Sequence, residues 1–253
     1  MIDIHCHLLP GVDDGPADEA TSIAMCRLAA ENGTSDVVAT PHASVRYEYS
    51  RKQNDVKRRQ LQAAIGPAPR IHLGCDFHLS YDNIEAALAE PARFTINAGP
   101  YLLVEFSDLI ISQGTSTVFA RMREAGLTPI ITHPERNALL RDHRSRLAAW
   151  VHRGCLIQIT ADSLLGRFGR HAQSAAVALV DASLAHIVAS DGHDLKERPP
   201  VLAPGFDFVV DRWGKDTAQA LFVDRPGAVV GGEPIELPGP RHSHRKKWWS
   251  FWK

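Results

Sequence analysis

The chain has 253 residues, of which 44% are hydrophobic and 23% are charged, as is ordinary for a globular protein. Its formal net charge of −1 argues against a protein that coats nucleic acid, and we expect no nucleic-acid partner. No apolar run approaches the roughly 20 residues of a membrane span, and no signal-peptide pattern follows Met1, so we expect a cytoplasmic protein. The four scattered cysteines fit a reducing compartment and argue against a disulfide framework or a thiolate zinc site.

Short β-branched runs alternate with helical stretches along most of the chain. The sequence predicts strands over residues 2–5, 36–40, 70–74, 102–106, 129–132, 156–160 and 186–189, and helices over 18–32, 49–65, 81–89, 115–125, 141–153 and 171–182. Gly33, Gly126 and Gly154 follow three of these helices, where a C-cap glycine belongs. Such alternation predicts parallel β-α units, and seven units favour a closed or nearly closed α/β barrel.

The composition changes near residue 225, where glycine and proline accumulate ahead of a basic and aromatic end. We therefore predict a folded domain over residues 1–224 and a C-terminal appendage over 225–253. Aromatic side chains mixed with cations suit a membrane–water interface with anionic lipids, so residues 245–253 are a candidate peripheral membrane contact. A disordered terminus, or aromatics that pack on the barrel or on another subunit, is the alternative. The residues concerned are Arg245, Lys246, Lys247, Trp248, Trp249, Phe251, Trp252 and Lys253.

The first candidate site is the pair His5 and His7, at the end of the first predicted strand. In an extended segment, side chains at i and i+2 point to the same side, so two imidazoles there can hold one metal ion. A glycine-flanked loop that carries Asp13 and Asp14 follows. Each signal is weak alone, because paired histidines and acidic turns are common without any ligand.

Further side chains able to bind metal stand at the ends of other predicted strands. The carboxyl ends of the strands carry the active site in β/α barrels, so these donors are expected to meet. Charged groups at half-buried strand ends also cost stability unless they are paired or bound to metal. The pattern predicts a metal site rather than a series of coincidences. In chain order the donors are His42, Asp76, Glu105, His133, Asp191 and His193.

The donor set indicates which chemistry to expect. Imidazoles and carboxylates without thiolates suit Mn²⁺, Fe²⁺ or Zn²⁺, and five histidines with four carboxylates are too many for one ion. We expect two or three divalent ions, which lower the pKa of bound water and clamp a phosphoryl oxygen. Arg136 and Arg198 follow two of the donors, and a guanidinium matches the geometry of phosphate, although a single surface arginine is usually only solvated. The residues therefore favour a metal-dependent phosphoesterase.

Several motifs together resemble one known family. The opening MIDIHCHLLPGVDDGP, residues 1–16, is similar to that of bacterial metal-dependent protein-tyrosine phosphatases. These enzymes belong to the polymerase-and-histidinol-phosphatase (PHP) superfamily and accompany capsule and exopolysaccharide gene clusters. The later motifs follow in the order of that family, within roughly residues 1–225. They are TPH at 40–42, EF at 105–106, ITHPER at 131–136, QITADSLLG at 158–166 and SDGH at 190–193.

The resemblance implies a distorted seven-stranded β/α (TIM-like) barrel with a trinuclear metal centre, commonly Mn²⁺, which hydrolyses phosphotyrosine by attack of a metal-activated hydroxide. Arg136 and Arg198 would lie near the phosphate. Asp76 departs from the family, in which Glu is more usual, and its shorter side chain could shift metal preference or rate. By motif, with Asp14 preferred to Asp13, the ligands would be His5, His7, Asp14, His42, Asp76, Glu105, His133, Asp191 and His193.

The resemblance also implies a partner, a phosphotyrosine protein of the kind of a membrane-anchored tyrosine autokinase. A phosphatase held at the inner face of the membrane by residues 245–253 would meet the tyrosine-rich tail of such a kinase at a higher effective concentration. The oligomeric state is left open by the sequence.

Three alternatives stay open. A phosphatase of the same superfamily that acts on histidinol phosphate or a nucleotide would have a similar metal site. A metal-dependent amidohydrolase also opens with His-x-His, but this chain has no lysine between Lys57 and Lys196 to serve as the carboxylated bridging ligand that many of them use. A non-catalytic binding module is disfavoured, because structural zinc sites are closed, four-coordinate and often rich in thiolate.

Overall fold

The computed structural model describes residues 1–235 as an α/β fold. The strands are β1 (Ile2–Cys6), β2 (Asp36–Ala39), β3 (His42–Ala43), β4 (Arg70–Leu73), β5 (Asp76–His78), β6 (Tyr101–Glu105), β7 (Thr128–Thr132), β8 (Leu156–Thr160) and β9 (Ile187–Ala189). The α-helices are α1 (Glu19–Glu31), α2 (Arg51–Ile65), α3 (Tyr81–Ala89), α4 (Thr115–Glu124), α5 (Ala138–Arg141), α6 (Arg144–Val151), α7 (Ala161–Leu164), α8 (Gly169–Asp181), α9 (Ala203–Trp213), α10 (Lys215–Gln219) and α11 (Arg225–Gly231). The 3-10 turns Pro91–Arg93 and Ile96–Ala98 and the π-helical turn Ala220–Asp224 complete the set.

All strand pairings are parallel, as the alternation of strands and helices predicts. The strands form a three-stranded sheet in the order β1-β2-β4 and a six-stranded sheet in the order β3-β5-β6-β7-β8-β9. A parallel bridge between Cys6 and Gly192 joins the end of β1 to the chain after β9. The predicted count of seven strands is not confirmed, because nine segments form. In residues 1–235 the paired strands make two sheets, and no single closed barrel is recorded.

Two of the predicted strands are each followed, after a gap of two residues, by a further short strand that was not predicted. Pro41 separates β2 from β3, and proline has no N–H to continue a ladder. Gly74 lies between β4 and β5, where a Cβ atom would stand 2.9 Å from Ile96 and 3.1 Å from Val38. The close packing at Gly74 and the missing donor at Pro41 explain why the ladder breaks at the same level in two adjacent strands.

An apolar layer fills the interior between the strands. Alternate residues of a strand point to the same side, and Tyr101 with Leu103 of β6 is one such pair in this layer. We use the name apolar layer for the cluster Ile4, Val38, Ile96, Tyr101, Leu103, Ile130, Leu156, Ile187, Ala189 and Val229. Each of these side chains is at most 4% exposed, so the interior is filled at this level rather than open.

The last part of the described chain is helical, although no helix is predicted after residue 182. Pro204 lies in the second position of α9, where the missing N–H costs no hydrogen bond, and Pro226 lies in α11 directly after the π-helical turn. Gly205 packs closely, since a Cβ atom there would stand 3.0 Å from that of Ala161. Prolines and glycines that suggest an irregular segment are therefore compatible with these helices.

The helix α11 lies inside the predicted appendage 225–253, and its Val229 is buried beside Ile4. A domain boundary near residue 225 stays a prediction. None of the helices within residues 1–235 has the length and apolar character needed to cross a bilayer. The candidate membrane contact at residues 245–253 lies outside the described residues.

Candidate metal centre

The nine side chains predicted as metal ligands lie together at the carboxyl ends of the strands and in the loops that follow. Their ligand atoms form four groups, and within each group all atoms lie within 4.8 Å of one another. The groups overlap, which fits a cluster of ions better than separate sites. They are His7, Asp14, His42 and His193; His5, His7 and Asp76; His5, His133 and Asp191; and His42, Asp76 and Glu105.

His5 and His7 are both oriented by a side-chain partner. His5 Nδ1 lies 2.9 Å from Gln158 Oε1, and His7 Nδ1 lies 2.7 Å from Asp13 Oδ2. These acceptors favour the tautomers in which Nδ1 carries the proton and Nε2 is free to bind a cation. The two Nε2 atoms are only 3.4 Å apart, so both can face the same cation.

The adjacent carboxylates Asp13 and Asp14 have different environments. Asp13 is turned inward, where it also accepts hydrogen bonds from the backbone N–H groups of His42, at 3.1 Å, and Gly15, at 3.1 Å. Asp14 is 45% exposed, and its Oδ1 lies 3.3 Å from His42 Nε2 and 3.5 Å from His193 Nε2. The geometry thus gives Asp14 the position of a ligand and Asp13 that of an orienting group.

Asp76 supplies the test of whether a cation fits. Its carboxylate is 1% exposed, and within residues 1–235 neither oxygen has a hydrogen-bond partner of good geometry. Its Oδ2 nevertheless lies 3.2 Å from His42 Nδ1 and 3.5 Å from His5 Nε2. A buried carboxylate is costly unless it is paired or bound to metal. Surrounded by borderline and hard donors, this unsatisfied group fits a divalent ion such as Mn²⁺.

The imidazoles fall into two electrostatic classes. Burial opposes protonation of His5, but Asp191 and Asp76 outweigh it and raise its pKa to about 9. Burial likewise opposes protonation of His42, and its contacts with Asp14 and Asp76 raise its pKa to about 11. Burial, with the neighbouring His193, lowers the pKa of His7 to about 4. Burial, with Arg136, lowers the pKa of His133 to about 3.

Asp191 joins the cluster to the two predicted phosphate-binding arginines. Arg136 Nη1 and Arg198 Nη2 both donate to its Oδ2, while its Oδ1 lies 3.3 Å from His5 Nε2. Burial opposes ionisation, but His5 and Arg136 outweigh it and hold the pKa of Asp191 well below its usual range. Asp191 has φ of +52° and His133 has φ of +32°, and such strained backbone is typical of functional sites.

The site is closed on one side and open on the other. His5 and Asp191 are at most 2% exposed, whereas Glu105 is 26% exposed. Arg136 and Arg198 are 23% and 26% exposed, so their guanidinium groups can reach a ligand that enters from solvent. The open side is where an anionic substrate would approach.

Four further residues complete the site, and the sequence did not assign roles to them. Asp13 and Gln158 orient ligand imidazoles, and Gln158 was visible only as part of a family motif. Phe168 lies under the Arg136 guanidinium, 4.3 Å from its ring centroid, and Tyr47 stacks on His42 with ring centroids 5.7 Å apart. Both aromatic residues are in loops, where no periodic pattern marks a functional position.

A parallel α/β fold that gathers imidazoles, carboxylates and arginines at its strand ends is typical of metal-dependent hydrolases that act on anionic substrates. The family model for capsular polysaccharide synthesis, CpsB/CapC, matches residues 1–231. The chain therefore belongs to the CpsB/CapC family.

Relatives in this family have a named activity. Tyrosine-protein phosphatase YwqE of Bacillus subtilis is 35% identical over 208 residues, 78% of this chain and 79% of YwqE. The putative tyrosine-protein phosphatase CapC of Staphylococcus aureus is 32% identical over an alignment that covers 98% of both chains. A crystal structure from work on YwqE of Bacillus subtilis and CpsB of Streptococcus pneumoniae, two metal-dependent tyrosine phosphatases, matches with a TM-score of 0.85. It is 31% identical and covers 95% of this chain and 98% of its own.

Proposed function

We propose that this chain is a metal-dependent tyrosine-protein phosphatase that acts in capsular polysaccharide synthesis. The observation that supports this best is a cluster of nine imidazole and carboxylate side chains, one of which, Asp191, also accepts hydrogen bonds from two arginines. The activity named for the family relatives specifies the substrate as phosphotyrosine. The ring-like sequence of strands, joined at Cys6 and Gly192, supports a distorted form of the β/α barrel.

The proposal assigns the nine residues as ligands of two or three divalent ions, with Mn²⁺ as the active metal. Ions at such a site supply a water of lowered pKa and neutralise charge that develops on the phosphoryl oxygens. Gln158 and Asp13 keep His5 and His7 in the tautomer that binds metal. Asp76, one methylene shorter than Glu, is held in contact with both His5 and His42.

Arg136 and Arg198 bind the nonbridging oxygens of the phosphate. Both guanidinium groups already converge on one carboxylate oxygen of Asp191, so their positions are set before substrate arrives. A guanidinium fork matches phosphate oxygens, and each arginine keeps free donors when it contacts Asp191 through one nitrogen. The leaving group is a phenolate with a pKa of about 10, which needs less protonation than an alkoxide, so a dedicated general acid is dispensable.

The physiological partner we propose is a membrane-anchored tyrosine autokinase, and the place of action is the cytoplasmic face of the membrane. The membership in a capsule-synthesis family supports this partner. Residues 245–253 would supply the membrane contact. Co-sedimentation with anionic liposomes, for the full chain and for a chain that ends at Leu237, tests this part separately. Equal pelleting of the two chains would remove the membrane contact.

Phosphate release from a phosphotyrosine peptide tests the function, with a phosphoserine peptide and histidinol phosphate in parallel. Each substrate is assayed with metal-stripped protein and with added Mn²⁺. We expect Mn²⁺-dependent release from the phosphotyrosine peptide, loss of that release in His133→Ala, and wild-type rates in the matched control His152→Ala, whose imidazole is exposed. Preference for histidinol phosphate would discard the protein substrate. No turnover with any divalent metal would overturn the proposal.

A further inference from the structure

Large exposed apolar side chains are concentrated at one end of the molecule. Within residues 1–235 there are six such side chains, and five of them follow the carboxyl end of a strand. The sixth, Val56, lies in the middle of α2 and is 43% exposed. We call the other five the apolar rim: Val45 (100% exposed), Tyr81 (77%), Leu109 (91%), Ile110 (71%) and Leu195 (40%).

Each member of the apolar rim stands close in sequence to a proposed metal ligand. Val45 follows His42 by three residues, and Leu195 follows His193 by two. Leu109 and Ile110 follow Glu105, and Tyr81 follows Asp76 by five residues. The carboxyl ends of parallel strands meet at one edge, so these loops surround the metal centre. Single exposed apolar residues need no explanation, but five that all follow the strand ends of a candidate active site point to an interaction surface on that face.

The loops that carry the rim are fixed by side-chain hydrogen bonds. Asn83 Nδ2 donates to Ala43 O at 2.8 Å and to His78 O at 2.9 Å, which ties the Val45 loop to the start of α3. Asn137, next to Arg136, donates to Ser107 O at 3.1 Å. The bond from Asn137 anchors the loop of Leu109 and Ile110 beside a phosphate-binding arginine, so this part of the rim is held near the reacting centre.

A cavity adjoins one side of the rim. It has a volume of about 380 Å³ and lies between the loop after β3 and the start of α3. Val45, Tyr47, Asn83 and the buried ring of Phe94 are among the residues that line it. Its lining is partly apolar, so it can accept a side chain of a bound polypeptide beside the metal centre.

We propose that the apolar rim binds the polypeptide on either side of the phosphotyrosine and selects segments with apolar residues close to it. This inference rests on the proposed function. A tyrosine whose phosphate reaches Arg136 and Arg198 must bring its own backbone to the mouth of the site. Its neighbours along an extended chain then lie within about 3.3–3.6 Å per residue of that point, which places them over the rim.

The test compares two phosphotyrosine peptides and one small aryl phosphate, p-nitrophenyl phosphate. One peptide has Leu or Ile at the two positions before and after the phosphotyrosine, and the other has Ser there. We expect the wild type to prefer the apolar peptide by about tenfold in kcat/KM, mainly through KM, because partial burial of one Leu or Ile side chain accounts for about that factor. In the double variant Leu109→Ser, Ile110→Ser, we expect the kcat/KM for the apolar peptide, divided by the kcat/KM for p-nitrophenyl phosphate, to fall by about tenfold.

Val56→Ser is the matched control, since it removes an exposed apolar side chain from within α2 and not from a segment that follows a strand, and it keeps the wild-type ratio of kcat/KM values. Equal kcat/KM for the two peptides in the wild type, or an equal fall in ratio for the control, overturns the inference. Binding of the same peptides with a nonhydrolysable phosphonate in place of the phosphate, followed by fluorescence anisotropy, tests the rim without turnover. Failure of p-nitrophenyl phosphate hydrolysis would therefore count against the proposed function, while the binding data still decide the rim.

Discussion

The two levels of the strand interior have opposite characters. The apolar layer is made of aliphatic and aromatic side chains that are at most 4% exposed, and it includes Val229 of α11. The metal centre lies at the carboxyl ends of the same strands and holds five imidazoles and four carboxylates in four overlapping groups, within each of which the ligand atoms lie within 4.8 Å of one another. Adjacent residues of one strand serve the two levels, as Ile4 and His5 of β1 do.

The contrast indicates which residues stabilise the fold and which carry the chemistry. Burial of apolar side chains stabilises the fold by about 1.5–3 kcal/mol per large residue. The metal centre contains a buried carboxylate, Asp76, without a hydrogen-bond partner in residues 1–235, and strained backbone at His133 and Asp191. These features cost stability until cations bind, so folding is expected to depend on the apolar layer and activity on the metal centre.

The largest expected effect is that of Asp191→Asn. Loss of one charged contact at a reacting centre lowers kcat by about 10²–10³, and Asp191 contacts Arg136, Arg198 and His5, so we expect a fall of about 10³ in hydrolysis of a phosphotyrosine peptide. Because His5 and Arg136 stabilise the ionised carboxylate of Asp191, Asp191→Asn should also lower the free energy of unfolding in EDTA, so the activity is measured at a temperature where the variant is folded. The exposed carboxylate of Asp142, changed to Asn, is the matched control. A kcat within about threefold of the wild-type value would contradict the assignment of Asp191 to the metal centre.

A loss of stability without a loss of metal binding is expected for a truncation in the apolar layer. Ile130 is fully buried, and Ile130→Ala should lower the free energy of unfolding by about 2–5 kcal/mol. Ile110→Ala, at a residue that is 71% exposed, should change it by less than about 0.5 kcal/mol. Urea unfolding in EDTA measures both. At temperatures where Ile130→Ala is folded, it should bind as many Mn²⁺ ions per chain as wild type. Loss of metal binding by the folded variant would show that the two levels are not separable.

The sequence predicts that the donors meet, because each stands at a strand end where the alternation of β and α segments can be read, and the structure brings the nine side chains together. Their role as metal ligands stays a prediction. The i, i+2 spacing of His5 and His7 places both imidazoles on one side without knowledge of the tertiary fold. Asp13 and Asp14 show the limit of this reasoning. Neighbouring acids in a turn look equivalent in sequence, and only the contact of Asp13 with His7 Nδ1, at 2.7 Å, separates an orienting group from a ligand position.

Other features depend on tertiary packing and could not be predicted from local pattern. Gly74 follows a predicted strand end, but the further strand β5 after it was not predicted, and Ile96, from a distant turn, lies 2.9 Å from where the Cβ of Gly74 would be. No element is predicted at Pro204 and Gly205, yet they begin a helix that packs on Ala161. The rings of Phe168 and Tyr47 reach the site from loops, whose course no periodicity reveals.

Metal binding should release protons, with the sign set by the pKa values of the metal-free protein. His5 and His42, with pKa values of about 9 and 11, are protonated near neutral pH, whereas His7 and His133, at about 4 and 3, are already neutral. Imidazole binds metal only when neutral, so Mn²⁺ must displace at least about two protons at about pH 7.5. The apparent affinity should therefore rise with pH, by up to about 100-fold per pH unit.

Isothermal titration calorimetry in two buffers with different ionisation enthalpies measures the protons released. His42→Ala should release about one proton fewer than wild type, and His152→Ala should match wild type. An apparent affinity that is flat with pH, or that falls as pH rises, would contradict the assignment of His5 and His42 as ligands.

The smallest expected effect concerns the aromatic ring that borders the polar site. Phe168 lies 4.3 Å below the Arg136 guanidinium, and a cation–π contact of this kind contributes about 0.5–1 kcal/mol at partly exposed sites. If Arg136 binds the phosphate, the ring of Phe168 stands beside the leaving group, where it can contact a phenyl ring but little of a serine. We therefore expect Phe168→Leu to lower kcat/KM for a phosphotyrosine peptide by about threefold to tenfold, more than for a phosphoserine peptide, and Phe168→Tyr to keep the wild-type ratio. An equal fall for both peptides in Phe168→Leu would mean that the ring only positions Arg136 and does not contribute to the choice between phosphotyrosine and phosphoserine.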